Sequence, residues 1–244
     1  MKDAPREIRR LGCQLRRLAS DWFTGRCRAM VAPGAGETLQ AAAFPVRLTI
    51  EQCILAADYV QAKIHNLEMA RRSLENLPVP PRGILSFWRV VGRPTQARGF
   101  QPGRSLVGGQ LVPDYGGGLC QLSGILYYLC LQAGLEILER HPHSRDIYDD
   151  TTRYAPLGAD ATVAYGFKDL RVLNTLSEPI CFRVSISTET ITGCLCSPAV
   201  IEPSTVEFVR TDRADGVRSV ETRRRRAGER GFQRLVVSEY RRIG

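Results

Sequence analysis

A run of three glycines followed at once by a helical pattern is the feature that most constrains how this chain can fold. Gly116, Gly117 and Gly118 precede apolar residues that recur at helical spacing, and Gly134 ends the pattern. The apolar positions are Leu122, Ile125, Leu126, Leu129 and Ala133. The sequence therefore predicts a packed helix that begins just after a glycine loop, with Cys120 in its first turn.

The position of Cys120 at a helix N-terminus has a chemical consequence. The first N–H groups of a helix have no intrahelical acceptor, and the helix dipole favours negative charge there, so a thiolate is stabilised. We expect the N–H groups of Cys120 and Gln121 to hold the oxyanion that forms when a thiolate attacks a carbonyl. Gly117 and Gly118, which have no side chains, would let a substrate backbone come close.

Two imidazoles follow in the segment Glu139–Ser144, at His141 and His143. A cysteine with a nearby histidine is the pair from which thiol nucleophiles are built. Taken alone, a helical cysteine is more often a small buried hydrophobe, and we expect this of Cys130. A lone histidine is likewise more often a surface or core residue. The combination of glycine loop, thiol and imidazole favours catalysis.

These residues resemble the VanW-like family, which is named for a gene of vancomycin-resistance clusters. The motifs that carry the resemblance are GGG-x-CQ-x-S from Gly116 and R-x-P-H-S from Arg140. The likeness begins near His65 and runs to Asn174, which is a little under half of the chain. It implies an enzyme similar to cysteine L,D-transpeptidases, which cross-link or hydrolyse peptidoglycan stem peptides.

The resemblance also implies a role for each site residue. Cys120 matches the nucleophile and His143 the general base and acid, with His141 as the reserve. Asp160 and Asp169 both fall in matching segments as the group that orients the imidazole, and Asp160 is preferred. Beside the resemblance, the residues expected to bind substrate or oxyanion are Gly117, Gly118, Gln121, Ser123, Arg140 and Ser144, with Arg171 as the alternative to Arg140 for a substrate carboxylate.

The formal charge of +9 is concentrated at the two ends of the chain. Residues 1–30 hold 8 basic and 3 acidic side chains, and residues 210–244 hold 11 and 5. The run Arg223–Arg226 could attract an anionic polymer, but no aromatic stacking platform is interleaved with it. Specific nucleic-acid binding therefore ranks last among the functions considered.

Metal binding and simple peptide binding are the remaining alternatives. Cys194 and Cys196, with Cys181 upstream, lack a partner at structural-zinc spacing. A site of Cys120, His141 and His143 has no evident carboxylate ligand, so we expect neither metal nor cofactor. A non-catalytic module that binds wall peptides or another partner, with an inert Cys120, remains the alternative to an enzyme.

The elements predict an α+β fold with an antiparallel sheet, a Cys-bearing helix and a long helix nearer the N-terminus. We divide the chain into a basic N-terminal segment (1–48), a VanW-like domain (49–200) and an Arg-rich C-terminal extension (201–244). The long helix is predicted from Thr49 to Leu77, because Thr49 and Gln52 resemble a capping box. Strands are predicted over 84–91, 105–112, 162–165, 169–173, 180–187, 190–194, 206–211 and 232–240, and the last two are expected to flank an Arg-rich hairpin loop.

The sequence has no recognisable export signal. Its first helix is basic and lacks an apolar core of seven residues, and no run of 18 apolar residues occurs. Eight cysteines in such a chain are expected to stay reduced in the cytoplasm. Peptidoglycan is cross-linked outside the membrane, so three explanations stay open: a missing export segment with a cell-envelope address, another export route, or a cytoplasmic substrate. Oligomeric state is not predicted.

Overall fold

The computed structural model of the 244-residue chain describes residues 5–34, 43–55, 58–107, 110–146 and 153–242. Within these ranges the fold is α+β, with helices packed against small, mostly antiparallel sheets. The helices are α1 Arg6–Phe23, α2 Val60–Leu74, α3 Phe87–Val91 and α4 Leu119–Gln132. The first strands are β1 Val46–Cys53, β2 Ile84–Ser86, β3 Pro102–Val107, β4 Gln110–Tyr115, β5 Glu136–Glu139 and β6 Arg145–Asp146. The later strands are β7 Arg171–Leu173, β8 Cys181–Ile186, β9 Thr190–Cys196, β10 Thr205–Asp212, β11 Val217–Arg225 and β12 Gln233–Arg242.

The strands form four sheets with non-sequential order. One sheet has the order β1-β9-β8, a second β10-β11-β12-β6 and a third β2-β7-β5, while β3 and β4 form a hairpin. Every pairing is antiparallel except that of β12 with β6, in which Arg241 and Arg242 face Arg145 and Asp146. This parallel pairing brings the last strand of the chain next to the segment that follows His143.

Helix α4 lies at the centre of the core and packs against the sheet of β1, β9 and β8. It is apolar on nearly all sides, and Leu122, Ile125, Leu126 and Leu129 are fully buried. A helix that is hydrophobic all round is buried on all sides, which fits this central position. The close approach depends on Gly193 of β9, where a Cβ atom would lie only 2.3 Å from Cγ2 of Ile125.

The predicted helix from Thr49 to Leu77 is wrong over its first part. Residues 46–53 form β1, which pairs antiparallel with β9 and buries Leu48 and Gln52 on one face. The helix α2 starts only at Val60. The Thr49–Gln52 pair has the spacing of a capping box, but Val46, Thr49 and Ile50 are β-branched, and pairing with β9 decides the outcome.

Two other predicted strands also change. The segment 84–91 is a strand only to Ser86, whose side chain then accepts a hydrogen bond from the N–H of Arg89 and caps α3. The segment 162–165 forms only an isolated bridge between Ala164 and Lys168. Both segments are apolar and short, and in such segments local pattern does not separate strand from helix or turn.

The arginines predicted to lie in a C-terminal hairpin loop form part of a strand instead. Arg223, Arg224 and Arg225 end β11, and residues of β11 alternate between buried and partly exposed positions. Arg224 is buried and donates to the carbonyl of Leu135 at 2.7 Å, while Arg218 is buried beside Asp146. The alternation of a half-buried strand therefore includes arginines, because buried carbonyl and carboxylate oxygens accept their hydrogen bonds.

No helix among the described residues has the length and hydrophobicity needed to cross a lipid bilayer.

Replacing Gly193 with Ala tests the packing of α4 on β9. The added methyl group would collide with a β-branched side chain that has little freedom to move, so we expect the free energy of unfolding to fall by about 1–3 kcal/mol. The matched control is Gly231→Ala, because a Cβ there meets nothing within 4 Å. Urea unfolding of both variants measures the difference. Equal stability of the two variants would contradict this packing.

Candidate functional site

The glycine run positions the start of α4 through its backbone conformation. Gly116 and Gly118 have φ values of 86° and 98°, which side-chain-bearing residues rarely adopt. A Cβ on Gly118 would lie 2.5 Å from Cγ of Lys63, and Gly117 is buried, with its carbonyl accepting a hydrogen bond from the Asn66 amide at 3.1 Å. The close neighbours of Gly117 and Gly118 on these sides are thus other parts of the chain, and the approach of a substrate to them stays a prediction.

Cys120 lies in the first turn of α4 and is half-buried. Its Sγ atom lies 3.7 Å from the carbonyl oxygen of Val163, and its side chain lines a cleft together with His143 and Asp160. The cleft has a volume of about 70 Å³. Cys120 therefore lines the same cleft as the imidazole of His143.

His143 is fixed in orientation by Asp160. The imidazole Nδ1 and the backbone N–H of His143 both lie 2.7 Å from Oδ2 of Asp160. Because Nδ1 is engaged, Nε2 is the ring nitrogen left to interact with the Cys120 thiol. This order of thiol, imidazole and carboxylate is that of a nucleophile, its base and the group that sets the tautomer of the base.

Asp160 is itself held by two further side chains. Its Oδ1 accepts hydrogen bonds from Arg140 at 2.9 Å and from the Tyr240 hydroxyl at 2.5 Å. Arg140 also donates to the backbone carbonyls of Asp160, at 2.7 Å, and Gly158, at 2.9 Å. Only 3% of the Arg140 side chain is exposed. Its guanidinium therefore binds Asp160 within the protein, whereas we expected from the sequence that it would bind a substrate.

The environment changes the pKa of each of these groups. Burial alone would raise the pKa of the Cys120 thiol, but the hydrogen bond and charge of His143 outweigh it and hold the pKa below its ordinary value. Burial opposes the charged form of His143, yet the bonds to Asp160 and Cys120 raise its pKa to about 10. Burial likewise opposes the charge of Asp160, but His143 and Arg140 keep its pKa well below its ordinary value. These shifts favour a thiolate beside an imidazolium.

The two alternative candidates, His141 and Asp169, do not line the cleft that contains Cys120. His141 places Nε2 3.0 Å from Oε1 of Glu139, and it does not line the cleft. Asp169 is buried, accepting hydrogen bonds from the Ser86 hydroxyl at 2.6 Å and the Trp88 N–H at 3.0 Å. Of the alternatives that the sequence left open, the geometry therefore brings His143 and Asp160 together with Cys120.

The remaining residues that were predicted to bind substrate make hydrogen bonds within the protein. The N–H of Gln121 donates to the carbonyl of Gly118 at 2.9 Å, so it is not free for an oxyanion. The Ser123 hydroxyl is buried and donates to the carbonyl of Ala161 at 2.6 Å. Ser144 is exposed outside the cleft, and its carbonyl accepts from the N–H of Arg241. Among the described residues, no acceptor is found for the N–H of Cys120.

Sequence reasoning missed several residues that line the cleft. Gln52 of β1 is buried, and its side-chain oxygen has no hydrogen-bond donor in the described ranges. Tyr240 arrives from β12, and Asp146, which also lines the cleft, pairs with Arg153 at 2.8 Å. No local motif marks them, because each reaches the cleft only through strand pairing. Residues 147–152, which connect Asp146 to Arg153, lie outside the described ranges.

The candidate metal sites of the sequence do not assemble in the described ranges, where no group of three or more His, Cys, Asp or Glu side chains could hold an ion. His141 faces Glu139 and His143 faces Asp160, so the two rings do not converge on Cys120.

Comparison with known proteins identifies one family and two relatives. The model of the family described as VanW like protein matches residues 62–196. The uncharacterized protein YoaR of Bacillus subtilis is 35% identical over 123 residues, which are 50% of this chain and 39% of YoaR. The vancomycin B-type resistance protein VanW of Enterococcus faecalis is 30% identical over 135 residues, 55% of this chain and 49% of that protein. The matches thus span less than half the length of either relative. No solved structure matches the chain.

The pKa shifts predict that Cys120 reacts as a thiolate below the pH at which ordinary thiols ionise. In the wild type, the rate of alkylation of Cys120 by iodoacetamide should titrate below the ordinary thiol pKa of about 8.5. In His143→Ala, burial remains without the imidazolium, so the midpoint should rise above the ordinary value. Peptide mapping by mass spectrometry follows each cysteine separately, with the exposed Cys27 and Cys53 as references.

The control for this titration is His141→Ala, whose ring contacts Glu139 and not the thiol. That variant should keep the wild-type midpoint. The same upward shift in both histidine variants, or no shift in either, would show that His143 does not set the ionisation of Cys120.

Proposed function

Because the chain belongs to the VanW family, we propose that it catalyses acyl transfer on peptidoglycan stem peptides, with Cys120 as the nucleophile. The products would be L,D-transpeptidase-type cross-links or, with water as acceptor, hydrolysed peptides. The observation that carries the proposal is the chain of contacts from the Cys120 thiol through His143 to Asp160, opening on one cleft. The name of the enterococcal relative, a vancomycin resistance protein, supports a wall substrate.

The first step forms a thioester and releases an amine. The Cys120 thiolate attacks the carbonyl carbon of a donor peptide bond, and the carbonyl oxygen takes up the negative charge. When the intermediate collapses, the C–N bond breaks and the imidazolium of His143 gives its proton to the leaving amine. Asp160 keeps Nδ1 protonated and engaged in a hydrogen bond, so Nε2 carries the transferred proton.

The second step regenerates the thiolate. An acceptor amine attacks the thioester carbonyl, the C–S bond breaks, and His143 takes the proton that the amine loses as the new amide forms. With water in place of the amine, the same sequence gives a carboxylic acid. Transpeptidation and hydrolysis therefore need the same residues. Which reaction occurs depends on how well the site keeps water away from the thioester when the acceptor amine is bound.

The oxyanion would be held chiefly at the N-terminus of α4. The N–H of Cys120 lies in its first turn, where the aligned peptide dipoles favour negative charge. The Gln121 N–H is engaged by Gly118, so we propose the Gln52 carboxamide as the second polar group at the reacting carbonyl. In this role the amide N–H groups of Gln52 would donate to the oxyanion, while the Gln52 side-chain oxygen, which lacks a donor within the described part of the chain, would accept a hydrogen bond from a substrate N–H.

Muropeptide analysis tests the proposed activity. Purified wild-type protein incubated with isolated stem peptides should give either cross-linked products or shortened peptides, together with a covalent adduct on Cys120 in the intact-mass spectrum. Cys120→Ala removes the nucleophile, so we expect loss of turnover by at least about a thousandfold.

The matched control is Cys27→Ala, which removes an exposed thiol that does not line the cleft and should leave turnover unchanged. If peptides bind equally to wild type and Cys120→Ala but neither produces a product or adduct, the protein is a binding module and the proposed chemistry is wrong.

A further inference from the structure

Helix α1 turns its apolar side toward solvent. Ile8, Leu11, Leu15, Leu18 and Trp22 recur at helical spacing, and together they form what we call the apolar stripe. Their exposed fractions lie between 56% for Leu11 and 69% for Trp22. At 1.5 Å per residue the apolar stripe is about 21 Å long. Contiguous exposed apolar surface of this kind marks an interaction site.

The opposite side of α1 is bound to the rest of the chain by polar contacts. Arg17 donates two hydrogen bonds to the carboxylate of Glu139, at 2.6 and 3.1 Å, and the buried Asp21 accepts from Arg171 at 2.7 Å. These ion pairs fix the rotation of the helix about its axis. The apolar stripe is therefore held away from the core, although an amphipathic helix of a globular protein ordinarily buries this side.

The charge of α1 decides what kind of surface fits the apolar stripe. The helix contains five arginines and only two acidic residues, of which Asp21 is buried. Arg6, Arg9 and Arg16 have exposed side chains. Trp22 and Phe23 end the helix as an exposed aromatic pair with ring centroids 5.0 Å apart. Aromatic residues of this kind favour the interface between lipid headgroups and hydrocarbon.

We propose that α1 binds the surface of an anionic lipid membrane, with the apolar stripe inserted among the acyl chains and the arginines at the phosphate level. A basic helix with a strong apolar side and little overall hydrophobicity lies in the plane of such an interface. The helix does not cross the bilayer; it attaches the folded domain to it. The proposal does not depend on the acyl-transfer function.

A second copy of the chain fits this surface less well. Two α1 helices packed stripe to stripe would bring their arginines together, and Glu7, the exposed acidic residue of α1, is already paired with Arg10 and Arg93. An anionic surface, by contrast, complements a segment in which residues 1–30 carry 8 basic and 3 acidic side chains.

Vesicle flotation with the full chain tests the proposal. The wild type should float with vesicles of equal parts phosphatidylglycerol and phosphatidylcholine and not with phosphatidylcholine alone. The double variant Leu15→Glu/Leu18→Glu should lower partitioning into anionic vesicles by at least about tenfold. Trp22 emission should shift to the blue on binding, and this shift should disappear in Trp22→Phe because Trp88 is buried.

The matched control is Val200→Glu/Val237→Glu, which makes the same charge change at exposed valines outside α1. It should bind anionic vesicles within about twofold of the wild type, allowing for the shared loss of positive charge. Absence of vesicle binding by the wild type would overturn the proposal, and so would equal loss in both double variants. If the wild type does not bind vesicles but forms a dimer, and Leu15→Glu/Leu18→Glu dissociates that dimer, then the apolar stripe binds a second copy of the chain instead.

Discussion

The carboxylate of Asp160 is the group on which the rest of the site depends. It is largely shielded from solvent by His143 and Arg140, which come from one segment, and by Tyr240, which comes from the last strand. Removal of a carboxylate from water is unfavourable, and the hydrogen bonds and charges of these partners offset that cost. The ion-pair network therefore ties the segment before β6, the loop at Gly158 and the last strand into one unit.

Through that network the C-terminal sheet contributes side chains to the site. Tyr240 of β12 contacts Asp160, and Arg218 of β11 contacts Asp146 at the edge of the same cleft. The family match ends at residue 196, yet these strands supply side chains that support residues inside the matched range. Helix α1 is connected to the same region from the other end, since Arg17 binds Glu139 at the end of β5. The basic ends of the chain thus pack on the central domain.

Local sequence signals were most informative about the part of the site that depends on backbone conformation, which is the turn before Cys120 and the start of α4. The glycines before Cys120 predicted a tight turn and a helix start, and α4 begins at Leu119 after two glycines with positive φ. The same signals gave no indication that Lys63 and Asn66 pack beside these glycines. They also suggested Ser123 and Arg140 as substrate-binding residues, whereas both side chains donate hydrogen bonds to carbonyls within the protein. Whether a polar side chain faces a substrate depends on neighbours that are distant in sequence.

By itself the sequence determined an α+β protein of the VanW family, a helix that begins beside Cys120, and an amphipathic basic segment near the N-terminus. These properties follow from periodicity, glycine conformation and motif, which are local. Only the tertiary structure decided that residues 46–53 are a strand, that Asp160 rather than Asp169 meets His143, and that Gln52 and Tyr240 reach the cleft. It also decided that α1 faces outward. Each of these outcomes is set by hydrogen bonds and ion pairs between residues far apart in the chain, and their energies exceed the local preferences that the sequence pattern reports.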